Sequence, residues 1–403
     1  MKIYLATLGS RGDNEPFRAL ALEAASAGHD VYFAHTEDLP SSADAAYTEL
    51  LLRGSLGKVV AKQGVSILRA LANYRSVMTP LVEGVYADTT AHIQDIRPDV
   101  VVYHPTILTA ATATHAVGGI AVMAEIVPIT TPTSEFAPPG IPSSLPSSWN
   151  TSSYRLIAAG IAAFGGARKK LAKDLGVIRT GHDLSLVPVS PTLISPPTDW
   201  PKDTVMTGQW FIPEREELDE QLRAFLEFGP VLYAGFGSMR DTRGLARAHA
   251  IVSAARSLGM KTLLVTGSGG LVAAKEHTLA SDVLVRETVT HTTVLPHIDV
   301  ALHHGGAGTV HAMVRAGVPS VIMPFLGDQP WWAQRLHAMH LGPPALSRTT
   351  TRYQTIANSL LQARSYSDVV KVAALKMATE DGLARAIEII ESAEAGIHPL
   401  KPA

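Results

Sequence analysis

The sequence predicts an α/β protein made of two Rossmann-like parallel-sheet domains that face each other across a cleft. Three observations predict it. Short apolar runs bounded by glycine alternate with helix-length segments, the pattern of a parallel sheet covered on both faces. The rhythm pauses in a proline-rich passage and then restarts. The length, 403 residues, suits two or three domains that each bury a core.

The runs of the first half are Ile3 to Thr7, Val31 to Ala34, Val100 to Tyr103 and Ile120 to Ala124. Between the first two, Pro16 to Ala27 has helical apolar spacing, and Gly28 supplies the stop. In the second half the runs are Val231 to Phe236, Thr262 to Val265, Val283 to Val285, Val300 to Leu302 and Ser320 to Met323. Pro188 to Pro213, weakly periodic and rich in proline, reads as an interdomain linker. The expected division is residues 1–205, residues 206–385 and a C-terminal tail, 386–403, returning to the first domain.

Composition removes several classes of function. With no cysteine, disulfides, zinc–thiolate and iron–sulfur centres are excluded. A net charge of −2, from 34 basic and 36 acidic residues, argues against a nucleic-acid partner. No basic leader with an apolar core opens the chain and no run of about 20 apolar residues occurs, so a soluble cytoplasmic protein is expected. Charged residues make up 17%, below the usual share of about 25%. From Val100 to Tyr154 the only ones are Glu125 and Glu135, and Pro128 to Trp149 is rich in proline and serine. This stretch reads either as a buried strand and helix with an ordered loop or as the wall of a pocket for a bulky apolar molecule. Glu49 to Val85 is a second candidate wall.

Ligands of doubly wound sheets bind beyond the carboxyl ends of the strands, so the residues there carry the functional signal. After the first run comes Gly9-Ser10-Arg11-Gly12-Asp13-Asn14-Glu15-Pro16. It is not Gly-x-Gly-x-x-Gly, and Asp13 stands where a dinucleotide's pyrophosphate would sit, which weakens a dehydrogenase reading. Locally, Asp13 reads best as a helix cap with Pro16 in the first turn. The second domain has His303-His304-Gly305-Gly306-Ala307-Gly308-Thr309 between a strand and a helix that Gly317 ends. Small residues at a helix start leave amide N–H groups bare for a diphosphate, with His304 and Thr309 as further donors. Strand alternation sends His303 and His304 to opposite faces. Together with the lack of an acidic partner at a suitable spacing, this makes a zinc site of His291, His297, His303 and His304 unfavourable. Gly235-Phe236-Gly237-Ser238-Met239 offers Ser238 and amides to a phosphate, and Gly327-Asp328-Gln329 offers acceptors and donors suited to sugar hydroxyls. A nucleotide diphosphate held mainly by the second domain accounts for all of these together.

Four of these blocks in register, Gly9-Ser10-Arg11-Gly12-Asp13-x-Glu15-Pro16, Phe236-Gly237-Ser238, the His-His-Gly-Gly-Ala-Gly-Thr segment and Asp328-Gln329-Pro330, resemble one family along nearly the whole chain. It is the nucleotide-sugar-dependent glycosyltransferases of GT-B fold that modify natural products and sterols, in particular the glycopeptide-antibiotic and sterol branches. The resemblance implies an inverting displacement in which an acceptor hydroxyl attacks the anomeric carbon and the nucleotide diphosphate leaves. It makes the first domain the acceptor domain and the second the donor domain. Asp13 becomes the base, with Asp328 a second candidate. Ser10, Ser238, His304, Gly305, Gly306, Gly308 and Thr309 hold the diphosphate; Asp328 and Gln329 hold the sugar. The stretch from Val289 to Leu295 matches where the family's backbone meets the pyrimidine base, and Ile107 and Phe136 belong to the acceptor wall. No metal or cofactor is implied, since the nucleotide sugar is a co-substrate.

The sequence departs from relatives at two places. Relatives with a His–Asp pair put histidine in the first loop and aspartate after the strand ending near Tyr103. Here Asp13 takes the first position and His104-Pro105-Thr106 supplies no carboxylate, so Asp13 is expected to act alone. Ala312 stands where plant relatives have a ribose-binding glutamate, which leaves UDP and dTDP equally open. The expected partners are a nucleotide sugar and an apolar small-molecule acceptor. The competing readings are a sterol or lipid glycosyltransferase at a membrane surface and a catalytically silent nucleotide-sugar-binding partner. The first would use a basic face, for which Arg168-Lys169-Lys170 and Lys173 form only a short cluster; the second would lack base or phosphate donors, and all are present.

Overall fold

The computed structural model describes residues 1–37, 39, 46–54, 79–141, 146–162, 165–213 and 216–396. Within these the chain divides into two compact units, Met1–Ile212 with Glu380–Ala403, and Pro213–Thr379. The candidate wall from Glu49 to Val85 falls largely on residues 55–78, which lie outside the described residues, as do 397–403 of the tail.

The first unit contains a parallel sheet of order β3-β2-β1-β4-β5-β6-β7. Its strands are β1 Lys2–Ala6, β2 Asp30–Thr36, β3 Thr48–Leu52, β4 Val100–Tyr103, β5 Ile120–Ala124, β6 Leu184–Val187 and β7 Thr204–Met206. Alternation along β1 decides what each face buries. Ile3 and Leu5 join the cluster containing Phe17 and Trp210, whereas Tyr4 and Ala6 join the cluster containing Tyr86 and Ile107. Helix Arg11–Ser26 covers the first of these faces. The winding reverses at β1, which pairs with β2 on one side and β4 on the other. The loops that follow β1 and β4 therefore leave the sheet side by side, which makes that edge the place for a ligand.

The linker expected at Pro188 to Pro213 is corrected by its burial. Val189, Leu193, Ile194 and Trp210 are all buried, and the passage contributes β7 to the sheet. Trp210 donates its indole N–H to Thr207 Oγ1 at 3.0 Å, so its one polar atom is satisfied inside the core. The unit boundary accordingly falls after Ile212 rather than after residue 205. At the other end the chain re-enters the first unit at Glu380, not at 386. Glu380 accepts from the hydroxyls of Ser190 and Thr192 at 2.8 and 2.7 Å. Asp381 then caps helix Gly382–Glu394 by accepting from Ala384 N at 3.0 Å. Gly382 meets Gly208 so closely that a Cβ would stand 2.5 Å from the Gly208 carbonyl. Leu383, Ile387 and Ile390 of this helix complete the cluster around Phe17 and Trp210.

The second unit has a parallel sheet of order β10-β9-β8-β11-β12, with β8 Val231–Gly235, β9 Lys261–Val265, β10 Val283–Arg286, β11 Val300–His303 and β12 Ser320–Ile322. The winding reverses at β8, which pairs with β9 and β11. Leu232, Ala234 and Phe236 face one cluster, Val231 and Tyr233 the other. Among the described residues no helix is long and apolar enough to cross a membrane.

Candidate functional site

In the second unit the predicted diphosphate residues gather where β8 and β11 end. Strand β11 stops at His303, and helix Ala307–Arg315 starts with Gly306 as its cap. The first N–H groups of a helix have no carbonyl of their own, so they point out of the helix start as anion donors. His303 is buried, and its Nδ1 accepts from Gly305 N at 3.0 Å. That bond fixes the turn and engages the Gly305 amide, so Gly305 shapes the site rather than donating to a phosphate. A Cβ on Gly305 would fall 2.5 Å from Ile322 Cγ2, and its φ of +88° is in the left-handed region.

His304 turns to the other side, as alternation requires. Its ring lies between two glycines: a Cβ on Gly306 would be 2.8 Å from Nε2, and one on Gly237 would be 3.7 Å from Cε1. Burial pushes His304 down to about 4, against the pull of the Gly235 backbone carbonyl. The free protein thus holds a neutral imidazole beside a helix N-terminus. Ser238 and Gly308 are exposed and Thr309 half-buried, so all three remain accessible to a ligand.

The loop after β12 corrects one expectation. Gln329 is 4% exposed, and its Oε1 accepts from Phe325 N at 2.8 Å and Leu326 N at 3.2 Å. Its amide carbonyl is spent on holding the turn, so Gln329 supports Asp328 rather than reaching a sugar itself. Asp328 is half-buried, with Oδ2 accepting from Trp332 Nε1 at 2.9 Å. Leu295 is 1% exposed in the core and half-buried Val289 packs against the same cluster, so a base contact along this stretch falls to its backbone, as the resemblance implied.

Two contributors escaped the sequence reading. Thr266-Gly267-Ser268-Gly269-Gly270 follows β9 and lies against the Gly237 turn, where a Cβ on Gly267 would fall 2.4 Å from the Gly237 carbonyl. The glycines after an apolar run were its available signal. Arg247, fully buried in helix Gly244–Ser257, donates to Asp241 Oδ2 at 2.6 Å and to the Arg348 carbonyl at 3.1 Å. Its guanidinium sits 4.7 Å from the Phe325 ring centre and 5.5 Å from that of Phe236. It fastens the bases of the loops that carry Ser238 and Asp328. Nothing in a mid-helix arginine announced this.

In the first unit Asp13 has two distinct oxygens. Oδ2 accepts from Ser10 N at 2.7 Å and from Ser10 Oγ at 3.0 Å, so the local reading is corrected: Ser10 is the N-cap, Asp13 is the third helical residue returning a capping-box bond to it, Pro16 lies beyond the first turn, and the Ser10 hydroxyl proton is already given away. A Cβ on Gly9 would stand 2.2 Å from that Oδ2, so only glycine leaves room for the carboxylate. Oδ1 faces the other way, 4.0 Å from His104 Nε2. His104 leaves the end of β4, adjacent to β1. Asp13 therefore does not stand by itself, contrary to the expectation. Burial lowers the His104 pKa, and the Asp13 charge opposes the shift. The expected acceptor wall is corrected too. Ile107 is 0% and Phe136 5% exposed, so both are core residues. Buried Glu125 organises this stretch by accepting from the amides of Ile129, Thr130 and Thr131 and from the hydroxyls of Thr131 and Ser185.

Residues 273–391 match the family model for the C-terminal domain of erythromycin biosynthesis protein CIII-like proteins. The vancomycin aglycone glucosyltransferase of Amycolatopsis orientalis is 28% identical over 370 residues, 85% of each chain. The glycotransferase of kitacinnamycin superposes with a TM-score of 0.75 at 20% identity, over 97% of this chain and 98% of that one. The chain has the GT-B fold of these glycosyltransferases. A sterol 3-beta-glucosyltransferase of Cryptococcus neoformans is 30% identical over 228 residues, half of this GT-B chain but 14% of the fungal protein. The chain thus spans a small part of its sterol relatives and most of the antibiotic one. The structure of VinC in complex with dTDP shares the fold, with a TM-score of 0.68 at 16% identity over 98% of this chain and all of that one.

Proposed function

We propose that this GT-B protein transfers a sugar from a UDP- or dTDP-sugar to a hydroxyl of a bulky apolar natural-product aglycone, with inversion at the anomeric carbon. The observation that carries the proposal is the end of β11, where bare amides of a helix start stand beside His304. Such an arrangement stabilises the charge of a departing diphosphate without a metal. Ser238 and Thr309 add hydroxyl donors, and Asp328, fixed by Trp332, meets the sugar hydroxyls.

Asp13 Oδ1 takes the proton of the acceptor hydroxyl. The oxygen forms its bond to the anomeric carbon as the carbon–oxygen bond to the diphosphate breaks, and that electron pair leaves with the nucleotide. The dTDP in the VinC structure supports a pyrimidine donor for this chain. The cytoplasmic placement expected from the sequence belongs to the same proposal. A second reading, sterol or lipid glycosylation at a membrane surface, is favoured by the fungal sterol relatives.

The test is a binding and hydrolysis screen with UDP- and dTDP-sugars, then a panel of apolar aglycones and sterols with and without EDTA. Glycoside formation unaffected by EDTA is expected. A folded protein that binds no nucleotide diphosphate refutes the proposal, and activity lost to EDTA but restored by magnesium refutes its metal-free part.

A further inference from the structure

His104 reaches the side of Asp13 because β4 lies next to β1, with Ala6 opposite Tyr103 in the register. Thr106 then fixes which ring nitrogen carries hydrogen. Thr106 N points at His104 Nδ1 from 3.4 Å, and Thr106 Oγ1 is 2.7 Å from the same atom. An amide N–H can only donate, so Nδ1 is the accepting nitrogen, and the Thr106 hydroxyl, the closer of the two donors, supplies most of the lock. In the neutral ring the proton therefore sits on Nε2, the atom that faces Asp13 Oδ1. Burial keeps the ring neutral, and Phe17 packs against it with ring centres 6.4 Å apart.

The 4.0 Å between Nε2 and Oδ1 is too long for a direct hydrogen bond. It is a length that one oxygen can bridge: placed about 2.8 Å from both atoms, it subtends an angle of about 90°. One neighbour of that oxygen is a donor and the other an acceptor. A water or alcohol oxygen, holding both a lone pair and a proton, matches the pair; an ether or a carbonyl does not.

We infer that His104 is the second contact of the acceptor hydroxyl, its Nε2–H donating to the hydroxyl oxygen while Asp13 Oδ1 takes the hydroxyl proton. The inference rests on the reading of Asp13 as base. It gives His104 a different duty from a relay: the ring keeps its proton throughout. One lone pair of the oxygen is held by His104 and the other is aimed at the anomeric carbon. Thr106 is a positioning residue, acting only through the tautomer of His104.

The experiment compares His104→Phe, His104→Gln and Thr106→Val with the parent, alone and with Thr106→Val placed in the His104→Gln background. Phenylalanine keeps the packing against Phe17 and loses the donor, whereas the glutamine amide restores an N–H close to Nε2. Acceptor KM and kcat are measured with melting temperature and with the Kd of the nucleotide diphosphate. The expected result is transfer at least ten times slower in His104→Phe than in His104→Gln, with Kd unmoved. Thr106→Val slows transfer about fivefold in the parent and not in the His104→Gln background, since an amide has no tautomer to lock.

Equal losses in the phenylalanine and glutamine variants overturn the inference, as does a Thr106→Val effect of the same size in both backgrounds. Thr106 is exposed, so that comparison decides the matter even if His104→Phe fails to fold. Asp13→Asn run alongside separates the two ideas. If it keeps its turnover, the base reading falls. If it loses turnover while the histidine and threonine comparisons are flat, only the role of His104 falls.

Discussion

Replacing Asp13 by asparagine separates the two duties that the structure gives to one side chain. The amide oxygen can still accept from Ser10 N and Ser10 Oγ, which now stand 2.7 and 3.0 Å from Oδ2. What disappears is the negative charge at a helix N-terminus, worth about 0.3–1 kcal/mol. With the side chain 35% exposed, solvent screening keeps the loss toward the lower end. Against a domain stability of about 5–15 kcal/mol, that leaves the protein folded, with a fall of about 2–4 °C in melting temperature at most. The loss of a positioned base is larger. It slows turnover by about 10²–10⁴, or roughly 3–5 kcal/mol in the barrier. The assay is initial rate at saturating donor and acceptor from pH 6 to 9, with nucleotide Kd by calorimetry and melting by scanning calorimetry. Turnover within threefold of the parent across that range would show that Asp13 is a capping-box residue and nothing more.

Gly305→Ala should destabilise the second unit by about 3 kcal/mol, from a left-handed backbone and a Cβ 2.5 Å from Ile322, and should abolish nucleotide binding. Gly308→Ala meets nothing within 4 Å and should melt no lower than the parent, so equal melting of the two variants contradicts this account. Phe136→Asp should lower the melting temperature and shift donor and acceptor constants together, because the side chain is core; a selective rise in acceptor KM would restore it to the acceptor wall. Burial lowers His311 to about 4, so between that value and its ordinary 6.5 the unfolded chain binds the extra proton. Stability should then rise with pH through this window, by up to about 1.4 kcal/mol per unit for this histidine, and level off above it. Urea unfolding of His311→Gln should show a shallower pH slope than the parent, and an unchanged slope would contradict the assignment.

The strands built of β-branched runs were legible because a buried parallel strand needs little else: Val100 to Tyr103 stands where the pattern put it. Leu184–Val187 and Thr204–Met206 were not, since each is four residues or fewer among prolines and polar residues. Their strand character comes from pairing with β5 and with each other. In the site, His304 and the glycines were legible because strand alternation and helix starts are local. Gln329 was assigned a contact that burial denies it, and burial depends on the whole unit. The approach of His104 to Asp13 was hidden for a similar reason: it follows from the adjacency of β1 and β4, which no local pattern encodes.

The return of helix Gly382–Glu394 to the first unit has a consequence for the order of synthesis. Pro213–Thr379 is continuous, so it can close its core as soon as it has emerged from the ribosome. The unit made first cannot, because Leu383, Ile387 and Ile390 arrive last and the face around Phe17 and Trp210 waits for them. The opening half of the chain therefore matures after its middle. Loss of helix Gly382–Glu394 should leave a nascent apolar face in search of cover.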